Sequence, residues 1–265
     1  MTLPNPAWIP LSRSLSLMFS RKQLLGWSLL LFLATILVTW LCYVLSVDFI
    51  DDLTATFMTT APATDTVWGW IKHKGWLVGS WLLVIVSRIV AFYFAFLLAY
   101  TVTTPGYAFL SSAAEKLYAG AAFDDPGFSL AGIVRDILEG VKIALFGIVV
   151  TIVALMVNFL PGIGQLTVVF LYTFYSALMF IDYPASRRRW TLGEKLDWLR
   201  THNGKALRIG LLPAFISMIP VVNIFAIALL FPLLTIHATL NFSAIELAHR
   251  YPTVSPGDRQ HGNRD

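Results

Sequence analysis

The clearest pattern along the chain is a set of four long apolar blocks separated by polar segments. The first block, residues 24–46, contains no charged side chain and would extend over about 35 Å as a helix. The second, residues 75–104, would extend over about 45 Å, and Arg88 is its only charge. Because the hydrocarbon core of a bilayer is about 30 Å thick, both blocks predict long transmembrane helices.

The two later blocks, residues 143–181 and 209–245, are each interrupted by a proline-containing turn. Apart from the last half, each half contains only about 11 to 18 residues, whereas a full span needs about 20. This length predicts two re-entrant helical hairpins, which enter the membrane and return to the same side. Such turns require protein or a wet cavity to satisfy their backbone groups. The expected turn residues are Pro161, Gly162, Gly164 and Pro220.

The interrupted blocks also resemble each other, as FLPGIGQLTVVF and MIPVVNIFAIALLF show in their proline, spacing and flanks. Repeated broken helices are typical of transport sites at mid-membrane. Two ordinary helical hairpins without a site account for the same pattern equally well, so the repeat leaves both interpretations open.

Amphipathic segments between the blocks predict helices on the membrane surface or on the protein. In residues 182–208, Thr191 and Glu194 form a capping box at a helix start. The apolar face of that helix consists of Leu192, Leu196 and Leu199. The expected fold is therefore an all-α membrane protein with two long transmembrane helices, two partly penetrating hairpins and amphipathic surface helices. We expect one membrane domain over residues 1–250 and a disordered cytoplasmic tail over residues 251–265.

Composition and charge support this arrangement, because 57% of residues are hydrophobic and 13% are charged, against about a quarter charged in soluble domains. Sixteen of the nineteen Lys and Arg residues lie in four segments, which are residues 1–23, 111–142, 182–208 and the C-terminal region. If the hairpins return, these segments share one side, and the positive-inside rule places both termini in the cytoplasm of a bacterial inner membrane. The net charge of +4 thus indicates topology, and no nucleic-acid partner is expected.

The chemistry-bearing residues form no pattern typical of an enzyme. The five histidines and the single cysteine lack metal-ligand spacing, and no paired carboxylates, Ser/His/Asp grouping or phosphate-binding loop is visible. We therefore predict a protein without catalytic residues, metal ions or cofactors.

Arg88 is the most informative single residue, because it lies near the middle of an apolar run. A central arginine costs about 2.5–3.5 kcal/mol on the insertion scale, and none of the four blocks contains Asp or Glu. Its guanidinium must therefore contact backbone carbonyls at a hairpin break, a wet cavity, an acid at the edge of a block, or a passing anion. The choice between an anion path and a structural contact stays open here.

Two further positions carry polar chemistry near the apolar blocks. Arg21 and Lys22 directly precede the first long helix, where basic residues serve as topology anchors. Asn223 follows Pro220 at the tip of the second hairpin, and its amide is expected to satisfy freed backbone groups there in preference to contacting substrate.

Four ordered motifs are the most specific part of the sequence: FLPGIGQ at 159–165, FIDYP at 180–184, MIPVVNIF at 218–225 and HATLNF at 237–242. Together they resemble the CysZ family of sulfate permeases, part of the larger etoposide-induced membrane protein superfamily. Pro105 with SSAAEKLYAG at 111–120 adds a weaker match. The resemblance implies two long transmembrane helices with two partly inserted hairpins, a homo-oligomer in membrane lipid, and uptake of sulfate for cysteine synthesis.

The resemblance also implies roles for particular residues. The stretch Arg21-Lys22-Gln23 matches a basic loop that the family links to sulfate binding, which makes an anion-collecting ring the alternative to topology anchors. Glu115 matches an acidic position after the family's proline, where it would close a pore, pair with Arg88 or Arg21, or lie on a solvated helix face. The Pro-Gly that precedes the basic residues in the family is absent here. A membrane scaffold or envelope-organisation protein of the same fold therefore remains the second functional interpretation.

Overall fold

The computed structural model describes residues 8–123, 130–219 and 222–250, and the regular structure within these ranges is helical. The helices, apart from a short 3-10 turn at Gly120–Ala122, are α1 (Leu11–Ser20), α2 (Lys22–Thr59), α3 (Val67–Ala119), α4 (Leu130–Asn158), α5 (Ile163–Arg187), α6 (Leu192–Thr201), α7 (Asn203–Ser217) and α8 (Val222–Arg250). The predicted all-α membrane fold is confirmed. The predicted tail, residues 251–265, and the turn residue Pro220 lie outside the described residues.

Among the described residues, five helical segments are long and apolar enough to cross a membrane. They are Lys22–Thr59, Val67–Ala122, Leu138–Asn158, Ile163–Arg187 and Phe225–His249. The estimate that the hairpin halves are too short to span is wrong for α4 and α5, because both helices continue beyond the apolar blocks into polar sequence. Only α7, with 15 residues and a length of about 22 Å, is as short as predicted. Length alone no longer favours partial insertion, which stays a prediction.

The two long helices are also longer than their apolar blocks predict. Most of the polar segment between the first two apolar blocks is helical, because α2 continues to Thr59 and α3 begins at Val67. Contacts between the two helices support the extension, since the indole nitrogen of Trp76 donates to the carbonyl of Phe57 over 3.0 Å.

The helix α3 continues through Pro105, which lies inside it. In the preceding turns, the hydroxyls of Thr101, Thr103 and Thr104 donate to backbone carbonyls four residues earlier at 2.8–2.9 Å. Such hydroxyl contacts are one way in which transmembrane helices tolerate proline. The helix α3 is therefore continuous from Val67 to Ala119.

The chain divides into two compact units, of which one comprises residues 1–28 and 106–265 and the other residues 29–105. The 29–105 unit is a helical hairpin that exposes many large apolar side chains, such as Leu45, Leu53 and Trp81. The predicted single membrane domain over residues 1–250 stays a prediction.

In the other unit, α8 is the most buried of the long helices. Its residues 231–245 are all buried, and α1, α5 and α7 pack against it. The helices α5 and α7 approach each other so closely at Gly210 that a Cβ there would lie 1.9 Å from the carbonyl oxygen of Thr173. An apolar helix that is buried on all sides is typical of the centre of a helical core.

The turn between α4 and α5 has the geometry that its sequence predicts. Gly162 adopts a left-handed φ of 78° and donates its N–H to Oε1 of Gln165 over 2.7 Å. A Cβ on Gly164 would lie 2.2 Å from the carbonyl oxygen of Val157, so the close approach requires glycine. Phe159 and Ile163 are 86% and 73% exposed at this turn, and the turn region from Met156 to Leu166 contains no charged residue.

Candidate functional site

The strongest concentration of buried charge lies in the 1–28 and 106–265 unit, where α3, α5 and α8 meet. Glu115 is near the C-terminal end of α3, and Arg187 and Arg188 are at the end of α5. The arginines reach this place because α5 continues through Pro184 to Arg187. Both long helices thus end beside each other with opposite charges.

Each oxygen of the Glu115 carboxylate accepts a hydrogen bond from a different arginine. Nη2 of Arg187 donates to Oε2, and Nη2 of Arg188 donates to Oε1. The Glu115 side chain is 7% exposed and both arginine side chains are 15% exposed. We call these three residues the Glu115 cluster. Charged hydrogen bonds of this kind are stronger than neutral ones and fix the orientation of the groups.

Polar contacts extend the Glu115 cluster toward α8. Nη1 of Arg187 donates to the Ser111 hydroxyl over 3.1 Å, and that hydroxyl lies 2.8 Å from the hydroxyl of Thr239. The Arg188 guanidinium lies 5.0 Å from the ring centroid of Phe242, which is a cation–π contact. The cluster is therefore part of a polar layer that crosses the helical core.

A second charged group fixes the surface helix α6 to α5. The Lys195 side chain is fully buried, and its ammonium donates to Oδ1 of Asp182 over 2.7 Å and to the Ser186 hydroxyl over 3.2 Å. The capping box of Thr191 and Glu194 is confirmed. The predicted apolar face of α6 is partly wrong. The residues of α6 that are buried are Lys195, Trp198 and Leu199, because pairing with Asp182 allows a lysine to face the protein.

Glu139 connects α4 to the same surface helix. Its carboxylate accepts from the backbone N–H of Leu192 over 2.8 Å and from the Lys142 ammonium over 2.6 Å. A carboxylate at a helix N-terminus satisfies a free N–H group and is favoured by the helix dipole. Together with the Asp182 pair, this contact makes α6 a fixed part of the unit.

The unit of residues 1–28 and 106–265 contains the sequence-predicted site residues Arg21, Lys22, Gln23, Glu115 and Asn223. Arg21, Lys22 and Gln23 are exposed where α1 ends and α2 begins, beside the free N–H groups of a helix start. Asn223 donates its amide to the carbonyl of Ser217 over 3.1 Å, which agrees with the predicted role in satisfying freed backbone.

The structure corrects the expected partners of Glu115 and selects one of the alternatives for Arg88. Glu115 is buried and bonded to Arg187 and Arg188, so pairing with Arg88 or Arg21 and a solvated position are wrong. Arg88 contacts Asp51 through two hydrogen bonds of 2.8 and 2.9 Å. Asp51 is the acid at a block edge that we considered, and the extension of α2 to Thr59 places it opposite Arg88.

The arginines of the Glu115 cluster are the functional candidates that sequence reasoning missed. Arg187, Arg188 and Arg189 form a basic run that begins three residues after the end of FIDYP, and this run was assigned to topology. A usable signal was present, because Arg187 and Arg188 lie within four residues of the FIDYP motif. Within the described residues, no group of three or more His, Cys, Asp or Glu side chains could hold a metal ion.

The Glu115 cluster offers guanidinium groups, whose planar fork of N–H donors matches the oxygens of carboxylate, phosphate and similar anions. Here that fork holds a carboxylate of the protein itself. The arrangement is therefore suited to binding oxyanions in competition with Glu115.

Comparison with known families adds an independent finding. The profile described as Sulfate transporter CysZ/Etoposide-induced protein 2.4 matches residues 11–228, which is most of the 265 residues. The matched region includes all members of the Glu115 cluster and the turn at residues 161–164. This family comprises membrane transporters, and the multi-pass helices agree with it. The chain therefore belongs to the Sulfate transporter CysZ/Etoposide-induced protein 2.4 family.

Proposed function

We propose that this protein is a permease or channel for sulfate or a related oxyanion in a bacterial inner membrane, where it supplies sulfur assimilation. It acts without catalysing a chemical reaction. The observation that carries the proposal is the buried Glu115 carboxylate held by Arg187 and Arg188, in a chain of a sulfate transporter family. The two guanidiniums supply paired N–H donors that match the oxygens of sulfate.

The proposed mechanism is an exchange of anionic partners at the two guanidiniums. Glu115 neutralises them while the path is empty, which reduces the energetic cost of burying the charges. An arriving divalent oxyanion presents more acceptor oxygens than a carboxylate and competes for the same donors. Glu115 then moves aside, and its return displaces the anion.

The exposed residues Arg21, Lys22 and Gln23 form the proposed collecting site at the start of α2. Their exposure and the free N–H groups of the helix start support this role. Positive charge at a path opening raises the local concentration of anions, and this effect weakens as salt increases.

The test is uptake of radioactive sulfate into proteoliposomes that contain the purified protein. Arg188→Gln should reduce flux at least tenfold, whereas Arg189→Gln, the adjacent exposed arginine, should leave it near the wild-type value. Sulfite, thiosulfate and phosphate are added as competitors to define the anion. Equal flux in the two arginine variants would remove the Glu115 cluster from the path.

Arg88 provides a separate arm of the same assay. If it lines an anion path, Arg88→Ala lowers flux with normal membrane insertion. Unchanged flux assigns it to the structural contact with Asp51 that the geometry supports.

The proposed topology places both termini in the cytoplasm, with lipid around the exposed apolar faces. The clustering of basic residues in the polar segments supports this orientation. Accessibility of single cysteines is the test, after Cys42 is replaced by Ser. A cysteine at Ser16 should react only from the cytoplasmic side. A cysteine near Gly162 that reacts from the far side would exclude a re-entrant first hairpin.

A homo-oligomer is the proposed assembly, and the 29–105 unit contains one supporting observation. The side chains of Arg88 and Asp51 are 34% and 51% exposed on helices whose surface is otherwise rich in exposed Leu, Ile and Val. Contact with a second copy would shield this ion pair from lipid. Cross-linking in the membrane between cysteines placed at Leu53 tests it, and a monomer at all concentrations contradicts it.

The second candidate function is a non-transport scaffold with the same fold. The observation that favours it is the missing Pro-Gly before Arg21, at a loop that the family resemblance links to sulfate binding. Growth of a deletion strain separates the two proposals. Normal growth at low sulfate together with absent flux supports the scaffold, and restored growth by the wild-type chain but not by Arg188→Gln supports transport.

A further inference from the structure

A recess of about 340 Å³ lies where α1 meets the end of α3 and the middle of α8. One part of its lining is polar and consists of Arg13, Ser16, Ser20 and Tyr118; the other part is apolar and includes Leu117 and Leu240. Among the described residues, none of the lining side chains is a carboxylate. Within the described part of the chain, the Arg13 guanidinium makes no ion pair, so its charge is available to a ligand.

The recess is a fixed feature because polar contacts hold the N-terminal segment on α8. The Asn241 amide accepts from the N–H of Ile9 over 2.9 Å and donates to the Ile9 carbonyl over 3.1 Å. The Ser14 hydroxyl lies 3.0 Å from Nδ1 of His237, and both residues are buried. These contacts position α1, and with it Arg13 and Ser16, at the edge of the recess.

The helix α1, which borders the recess, has the pattern of a helix at a membrane surface. The helix α1 is amphipathic and directly precedes α2, which starts at Lys22 and leads into apolar sequence. Leu15 and Phe19, one turn apart on α1, are 40% and 62% exposed. A short amphipathic helix with exposed apolar residues beside basic ones is typical of the membrane interface.

We propose that this recess binds the headgroup of an anionic phospholipid. The guanidinium of Arg13 and the hydroxyls of Ser16 and Tyr118 supply donors to the phosphate oxygens. Leu117 and Leu240 contact the first part of an acyl chain, which a free inorganic anion does not have. The paired polar and apolar lining therefore matches an amphiphile better than a small ion.

The test titrates the full-length protein in neutral detergent with phosphatidylglycerol or with phosphatidylcholine and counts bound lipids by native mass spectrometry. We expect phosphatidylglycerol to bind more tightly. Arg13→Gln should weaken its first binding step about fivefold, the effect of one basic residue at an anionic surface. Arg200→Gln, an equal change of charge at an exposed position of α6, should not weaken it.

A double variant, Ser16→Ala with Tyr118→Phe, removes two donors without changing charge and keeps the test valid if Arg13→Gln does not fold. It should also weaken binding of phosphatidylglycerol. Equal affinity of Arg13→Gln and Arg200→Gln, or an undiminished affinity in the double variant, overturns the proposal. So does displacement of the lipid by millimolar inorganic sulfate, which would identify a site for small anions instead.

Discussion

The two compact units of this protein differ in how exposed their arginine–carboxylate ion pairs are. In the unit of residues 1–28 and 106–265, the side chains of Glu115, Arg187 and Arg188 are at most 15% exposed and bind one another. In the 29–105 unit, Asp51 and Arg88 form an ion pair whose side chains are 34% exposed or more. Both are arginine–carboxylate contacts, but only the first is built into a helical core.

This difference suggests that the two units have different roles. A buried charge network is costly to build and is maintained only when its members satisfy one another, which makes the Glu115 cluster the better candidate for selective chemistry. A hairpin with an apolar exterior is suited to lipid or to another copy of the chain. The comparison can be tested by perturbing equivalent features in each unit.

The largest expected effect is that of Glu115→Ala, which leaves two buried guanidiniums without their shared carboxylate. Removal of one partner from a buried ion pair destabilises a protein by about 3–5 kcal/mol. We expect a clearly lower midpoint of thermal unfolding in detergent, followed by circular dichroism. Asp51→Ala is the matched control in the 29–105 unit and should lower the midpoint much less. Equal losses would show that the two ion pairs do not differ in the proposed way.

A second effect concerns packing at two glycines. A Cβ at Gly210 would lie 1.9 Å from a backbone oxygen of α5, whereas a Cβ at Gly79 in α3 meets no atom within 4 Å. Gly210→Ala should therefore lower the free energy of unfolding by about 2 kcal/mol, and Gly79→Ala should raise it by about 0.5–1 kcal/mol through helix propensity. Denaturant titration in detergent measures both, and a stabilising Gly210→Ala would contradict the close packing.

Much of the fold can be predicted from the residues of each segment alone. The apolar blocks identify the membrane helices, and the turn at residues 161–164 follows from Gly162 and Gly164, whose positions exclude a Cβ or favour a left-handed φ. The ends of the helices are harder to predict from the sequence. The helix α2 continues through three aspartates to Thr59, because contacts with α3, such as the ion pair of Asp51, support sequence that appears polar on its own.

The site was predicted only in part for the same reason. Glu115 was identified as an ion-pair partner, but its partners depend on α3 and α5 continuing through Pro105 and Pro184. Whether a helix tolerates an internal proline depends on the groups packed around it. A single sequence does not reveal those tertiary contacts. Lys195 illustrates the same limit, since its burial requires Asp182 from a different helix.

A third experiment compares the two ion pairs directly with double-mutant cycles. The cycle of Glu115→Gln and Arg188→Gln should give a large coupling energy, because both groups are buried. The cycle of Asp51→Asn and Arg88→Gln should give a coupling several times smaller, since exposed pairs contribute little. Thermal unfolding in detergent of the single and double variants provides the values. A larger coupling for Asp51 and Arg88 would indicate that their surface is shielded in the assembled protein.

The smallest effect is expected from His202, which lies between α6 and α7 outside the apolar spans. Its ring stacks on Trp198 with centroids 4.8 Å apart and lies 5.3 Å from the ring of His249. Burial lowers the pKa of His202 below its usual 6.5, the charges of Lys205 and His249 lower it further, and the Trp198 carbonyl and Glu246 act in the opposite direction.

Because the folded state holds the His202 pKa down, the unfolded chain takes up the proton first as pH falls through about 6.5. This histidine therefore destabilises the fold progressively below that pH and has no such effect above it. We expect the thermal midpoint to fall between about pH 8 and pH 5.5, and His202→Gln should reduce that fall. His73→Gln, in the 29–105 unit, should leave this fall of the thermal midpoint unchanged because His202 is still present. If both variants show the same pH dependence as the wild type, protonation of His202 at the α6–α7 junction does not contribute to stability.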